Sequence, residues 1–200
     1  MKKRYLIIAG IASLALLSSC YKNVQIIKDE DILKNENNLI DKEQAEKNKE
    51  TIEKFYTAFK NRDSETMIKL YHDDVEFQDP AFGILKGQRA KNMWKMLVER
   101  GKDLQINFNN IKVDENSGTA NWDAIYSFSL TGNKVHNKIK AHFIFKDGLI
   151  YKHRDDFNLW EWSKQAFGFT GLVLGYTPFF KNKLNSEANK GLDDYISKQK

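Results

Sequence analysis

Apolar residues recur along this chain with two periods, and the switch between them divides it. Ile52, Phe55, Tyr56 and Phe59 are spaced i, i+3, i+4, i+7, one stripe of an amphipathic helix. Asn61-Arg62-Asp63 interrupts the stripe. Asp63 or Ser64 can then cap a second helix with Met67, Leu70 and Tyr71 inward. Val75, Phe77 and Asp79 alternate on a short strand, and Phe82-Gly83-Ile84-Leu85 predicts another. Ala90, Trp94, Leu97 and Val98 mark a third helix that stops at Gly101. From Leu104 the period is two. Leu104, Ile106 and Phe108 share one parity and Ile111 and Val113 the other, which predicts a bulge at Asn109-Asn110. Ala120, Trp122, Ala124, Tyr126, Phe128 and Leu130 predict a long strand; Ile139, Ala141, Phe143 and Phe145 predict the next. Asp147-Gly148 signals a tight hairpin into a last strand with Leu149, Tyr151, His153, Asp155 and Phe157 inward. Three helices followed by a strongly bent antiparallel sheet predict an α+β fold, the helices packed across the sheet's concave side over a pocket.

Three polar residues occupy apolar parities: Asp79, His153 and Asp155. Pro80 biases Asp79 toward extended geometry. A carboxylate turned toward a core is paired, or it belongs to a site. The three can therefore satisfy one another. Alternatively they line a pocket in which burial moves a carboxylate base and a His–Asp pair toward neutrality. Trp122, Tyr126, Phe143 and Tyr151, with Tyr56 from the first helix, are candidate walls for a small apolar ligand, or plain core. His72, at the predicted end of the second helix, reads as a partner for the helix dipole. No residues have metal-ligand spacing, and neither a Gly-rich phosphate loop nor a Ser nucleophile motif is present. No cofactor is expected.

Charge changes the picture little. The formal net charge is +5, but Lys2, Lys3 and Arg4 carry three of it. The remaining balance is too even to argue for nucleic acid. Those three residues instead precede an apolar run from Leu6 to Leu17, too short for a spanning helix, which needs about 20 residues. The pair suits a secretory signal. Leu17-Ser18-Ser19-Cys20 resembles a bacterial lipobox. That resemblance implies a signal peptide over 1–19, cleavage before Cys20, and a membrane anchor through lipid on Cys20. Two or more acyl chains anchor stably where one does not. Tyr21 in place of an aspartate implies, by resemblance to lipoprotein sorting, the outer membrane of a bacterial envelope. Cys20 is the sole cysteine, so no intrachain disulfide forms. Residues 20–44 read as a polar tether turning helical toward its end.

Phe55-Tyr56-Thr57-Ala58-Phe59, Asp63, the run Tyr71 to Pro80, and the run Asp147 to Asp155 resemble the nuclear-transport-factor-2-like superfamily. It includes ketosteroid isomerase and the SnoaL-like polyketide cyclases. The resemblance covers about residues 45–158 and implies a cone-shaped fold. Asp79 falls where ketosteroid isomerase keeps its general base. Counting back from Asp63, that enzyme's oxyanion tyrosine falls on Phe55, with Tyr56 one residue off, and its aspartic acid falls on Ala141. Both donors are absent at those positions, and losing one costs about 3–4 kcal/mol of transition-state stabilisation. His153 and Asp155 match the His-x-Asp of SnoaL-like final strands. The superfamily holds enzymes, binding modules and assembly domains. Three functions thus stay open: binding of a small apolar or amphipathic molecule; cyclase, isomerase or hydratase chemistry with Asp79 and Asp155 as acid/base and His153 as partner; or non-catalytic assembly. Residues 159–200 form a helical extension. Its Phe167 to Phe180 stretch is markedly apolar and could lid the pocket, form a homodimer surface, or rest on lipid. Lys181 to Lys200 reads as an exposed helix.

Overall fold

The computed structural model describes residues 33–199. The expected export signal, Cys20 and the start of the expected tether lie outside them. The chain divides into two units, Met1–Glu43 and Gln44–Lys200. Within the first, residues 33–43 are helical and exposed.

The second unit opens with helix α1 over 44–60. Ile52, Phe55, Tyr56 and Phe59, the predicted stripe, are all buried. Asn48 is buried too, and its Nδ2 donates to Asp114 O at 2.9 Å and Glu115 O at 3.0 Å, fixing the helix to a turn in the sheet. Asp63 caps α2 (Ser64–Lys69), accepting from Thr66 N at 3.0 Å. Strands β1 (Tyr71–Asp79) and β2 (Gly83–Lys86) lead into α3 (Gly87–Arg100), which buries Ala90, Met93, Trp94, Met96 and Val98. Then follow β3 (Gln105–Val113), β4 (Ser117–Ser127), β5 (Lys134–Lys146) and β6 (Leu149–Asp156). The predicted bulge is present: the β3–β4 register shifts between Asn109 and Lys112, with Asn110 at φ 53. Asp147 and Gly148 both take positive φ, the geometry of a two-residue primed turn.

The six strands form one sheet in the order β2-β1-β6-β5-β4-β3. It is mixed, not antiparallel as expected, because β1 pairs with β6 in parallel. Alternation reports which face a residue takes, not strand direction, and β1 and β6 meet across most of the domain's sequence. Other boundaries move as well. Tyr71 opens β1 rather than closing α2, so His72 lies on a strand, within 3.8 Å of Asp147. Leu130 lies in the turn after β4 and is exposed.

The extension is helical: α4 (Leu159–Phe167), α5 (Phe169–Leu174) and α6 (Pro178–Ser197). Trp162 and Ala166 of α4 join Val135 in a second apolar cluster that shares Tyr126 and Phe157 with the main core. The helix expected to be exposed over Lys181 to Lys200 is instead docked: Leu192 and Tyr195 of α6 belong to the main core. No helix among the described residues is long and apolar enough to cross a membrane.

Candidate functional site at the Asp79 seam

The parallel pairing of β1 and β6 sets the site. Phe77 is opposite His153 and Gln78 opposite Arg154. Asp79 and Asp155 lie one step further along, on the face shared by Phe77 and His153. The sequence-predicted trio is therefore brought together.

His153 is fully buried. Its Nδ1 lies 2.7 Å from Tyr71 Oη, and its Nε2 lies 3.1 Å from Asp155 Oδ1. Trp94 Nε1 donates to Tyr71 Oη at 2.7 Å, and Trp122 Nε1 donates to Asp155 Oδ1 at 3.1 Å. Indole nitrogens only donate. Tyr71 Oη, already an acceptor, gives its own proton to Nδ1, which leaves Nε2 to donate to Asp155. The donor order is assigned from this network. Aromatic rings also surround the imidazole. Phe143 lies 4.4 Å away, Phe77 5.3 Å and Phe55 5.5 Å, and Trp94 stacks on it at 5.7 Å. The relay is a sealed polar thread through an aromatic core.

Asp79 is in a different situation. It is half-buried. Its Oδ1 accepts from the amides of Ala81 at 2.9 Å and Phe82 at 2.6 Å, the turn that Pro80 initiates. Burial pushes its carboxyl up to about 7; the amides oppose this and the nearby Asp155 charge adds to it. Tyr126 is close enough for the Asp79 charge, after burial, to push its phenol up too. The extension holds both. From α4, Trp162 Nε1 donates to Tyr126 Oη at 2.8 Å. From α6, Asn185 Nδ2 donates to Pro80 O at 3.0 Å and to Ala81 O, and Asn189 Nδ2 donates to Phe82 O at 2.9 Å. Arg89 braces Asn189 through its Oδ1 at 2.9 Å.

The candidate walls separate. Tyr56, Trp122 and Phe143 pack on one another, with Tyr56 5.7 Å from Trp122 and 6.2 Å from Phe143. Tyr56 Oη is buried without a hydrogen-bond partner, and burial, then the charge of Asp155, drives its phenol well above the ordinary range. Tyr151 is set apart. The β5–β6 register slips after Ile144, which turns Ile150 inward, and Tyr151 meets His72 edge-on at 5.5 Å. Hollows of about 550 and 340 Å³ lie on the outer sheet face by Asn121, Lys140 and Asp156, and between α1 and α2. Neither is lined by Asp79, His153 or Asp155. No group of acidic, His and Cys side chains among the described residues could hold a metal.

The sequence places Tyr71 and Trp94 only as inward helix residues, and their hydrogen bonds to the relay, like the roles of Trp162, Asn185 and Asn189, were not foreseen. Tyr71 shares the parity of Val75 and Phe77, so continuing the alternation backward would have found it. The asparagines carry no sequence signal; their partners are backbone carbonyls over 100 positions away.

The helices over a curved mixed sheet, with paired polar residues at the ends of β1 and β6, define a nuclear-transport-factor-2-like fold. Solved structures share it. Bal32a, from a soil-derived mobile gene cassette, is 19% identical with a TM-score of 0.55, covering 62% of this chain and 98% of its own. A putative SnoaL-like polyketide cyclase from Jannaschia sp. CCS1 is 13% identical with a TM-score of 0.55, covering 62% and 94%. An LEH-like epoxide hydrolase of M. tuberculosis is 20% identical with a TM-score of 0.52, covering 65% and 97%. At these identities the likeness shows the fold alone. The SnoaL-like domain model matches residues 52–153, and the chain belongs to that family. No curated protein matches it.

Proposed function

We propose that this SnoaL-like domain is exported, lipid-anchored through Cys20 in a bacterial cell envelope, at the outer membrane, and binds a small amphipathic molecule at the Asp79 seam. The observation that carries the binding site is the contrast in access. The interior around His153 is occupied by rings, whereas Asp79 is half-buried, bordered by Tyr126, and roofed by a separate helix. A carboxyl raised to about 7 can donate to, or accept from, a ligand's polar end, while Tyr126 and Phe157 offer apolar surface to the rest. Mass spectrometry of the protein purified from its native membrane should find a copurifying amphipathic molecule. That molecule should quench tryptophan emission on titration, with affinity lost about tenfold or more in Asp79→Asn. Unchanged affinity in that variant would rule the seam out.

A second reading has one observation in its favour. An acid/base group works best when its pKa lies near the working pH, and Asp79 sits at about 7. On this reading Asp79 moves the proton, and Asp155, held by His153, fixes the field around it. Turnover of the copurified molecule that disappears in Asp79→Asn while binding survives would select it; equal turnover in wild type and variant would exclude it.

A further inference from the structure

Helix α5 is built inside out. Gly171 within it and Gly175 at its C-terminal end are buried against Ser163 of α4. A Cβ at Gly171 would lie 1.8 Å from Ser163 O, and one at Gly175 would lie 1.7 Å from Ser163 Oγ, so only glycine allows this approach. Trp160 Nε1 donates to Leu172 O at 3.0 Å and pins the helix in place. The apolar side chains are consequently turned outward. Phe169 is 79% exposed, Tyr176 71% and Phe179 72%, and Leu172, Val173, Leu174 and Trp160 lie between 38% and 46%. With about 150–250 Å² to each aromatic side chain, this face leaves roughly 700 Å² of apolar surface in water. The largest apolar patch of an ordinary monomer is about 300–600 Å². One side of a standard protein interface is about 800 Å². The face thus exceeds what a monomer leaves open and matches one half of a dimer.

Charge narrows what the face can meet. From Gln165 to Phe180 there is no charged residue. Two of the three lysines that border it are paired within their own helices. Lys164 pairs with Glu161 at 2.5 Å and lies over the Trp160 ring at 4.2 Å, and Lys183 pairs with Glu187 at 2.8 Å. Lys181 is the only one of the three with no ion pair among the described residues. One lysine contributes about 1 kcal/mol at an anionic bilayer, where basic segments are held by clusters of about four or more. A foreign protein selected by charge would find neither carboxylate nor ammonium inside the face to read. A second copy makes no such demand. Its face is uncharged at the centre, and its Lys164 and Lys183 are already paired, so two copies can meet about a twofold axis with their apolar centres aligned.

We infer that the α4–α5–α6 elbow, residues 160–180, is an isologous interface with a second copy of this chain. The interface stands independently of the Asp79 seam and of the lipid anchor. Photo-crosslinking in intact cells that produce the full chain tests it. Tyr176→p-benzoylphenylalanine puts the reactive group on the exposed face. Irradiation should yield a species of twice the chain mass. Mass spectrometry should place the crosslinked peptide within residues 160–180 of the second copy, because an isologous patch meets itself. Adding Phe169→Ser/Phe179→Ser should lower the yield about fivefold or more, as expected for aromatic anchors of an interface. Circular dichroism of the purified double variant should match wild type, since both rings are exposed. If that variant misfolds, the mapped crosslink from position 176 decides alone. A crosslink only to lipid, only to another protein, or to a second copy outside residues 160–180 overturns the interface. So does the absence of any crosslink, or a yield unchanged in a folded double variant.

Discussion

Asp79 and Asp155 end neighbouring parallel strands on one face, and their surroundings are opposite. Asp155 is buried, with Trp122 and His153 donating to it, and the histidine is held in turn by Tyr71 and Trp94. Asp79 is half-buried and accepts only from the amides of its own turn. A buried carboxylate with good donors contributes order to a core, and its loss of a partner is costly. A carboxyl whose burial is offset only by the amides of its own turn becomes titratable near neutrality instead. The same residue type therefore serves as a structural tie at one position and a responsive group at the next strand.

Cutting the tie is the harshest way to break this contrast. His153→Ala removes the donor to Asp155 and opens a hole among five rings, so unfolding free energy should fall by about 3–5 kcal/mol in urea denaturation. A loss under about 1 kcal/mol would mean that the relay is slack.

Asp79→Asn should act in the other direction, and only in part of the pH range. Below about pH 4 the folded and unfolded carboxyls both hold a proton. Between there and about 7 the folded form retains a proton that the unfolded form has released, so wild-type stability falls as pH rises through this window. Above it the folded chain carries a poorly solvated charge that the amide lacks. The variant should gain up to about 4 kcal/mol over wild type at pH 8 and nothing at pH 4, read from paired thermal melts. A gain independent of pH would detach the effect from ionisation.

Much of this was legible in the sequence, for a definite reason. Alternation placed Asp79, His153 and Asp155 on apolar parities, and burial of one sheet face enforces that parity. The bulge at Asn109-Asn110 and the turn at Asp147-Gly148 were equally visible, because each is a local demand on backbone geometry. Three things were not. The parallel pairing of β1 with β6 depends on chain path. The inward turn of Ile150 in place of Tyr151 comes from a register slip that leaves no mark in composition. The docking of α6 rests on asparagine-to-carbonyl bonds and two core residues, Leu192 and Tyr195, within an otherwise polar helix.

Smaller changes sharpen the comparison. Tyr56→Phe removes a buried hydroxyl that has no partner, and should stabilise the domain by about 1–2 kcal/mol in the same denaturation assay. A destabilisation would show that the hydroxyl is satisfied in solution. Asn185→Ala frees the Pro80-Ala81 carbonyls from α6 and should cost about 1 kcal/mol. It should also raise amide hydrogen exchange at Ala81 and Phe82, while exchange in β6 stays at wild-type rates; acceleration spread evenly over the sheet would mean that α6 supports the core, not the seam.

On the proposed reading Asp79, and not the His153 relay, is the group that responds to solvent and ligand. Carbon-detected NMR of the side-chain carboxyl, followed from pH 3 to pH 9, tests it directly. A midpoint at about 7 for Asp79 is the result predicted here. A midpoint near the ordinary aspartate value of about 4 would contradict it.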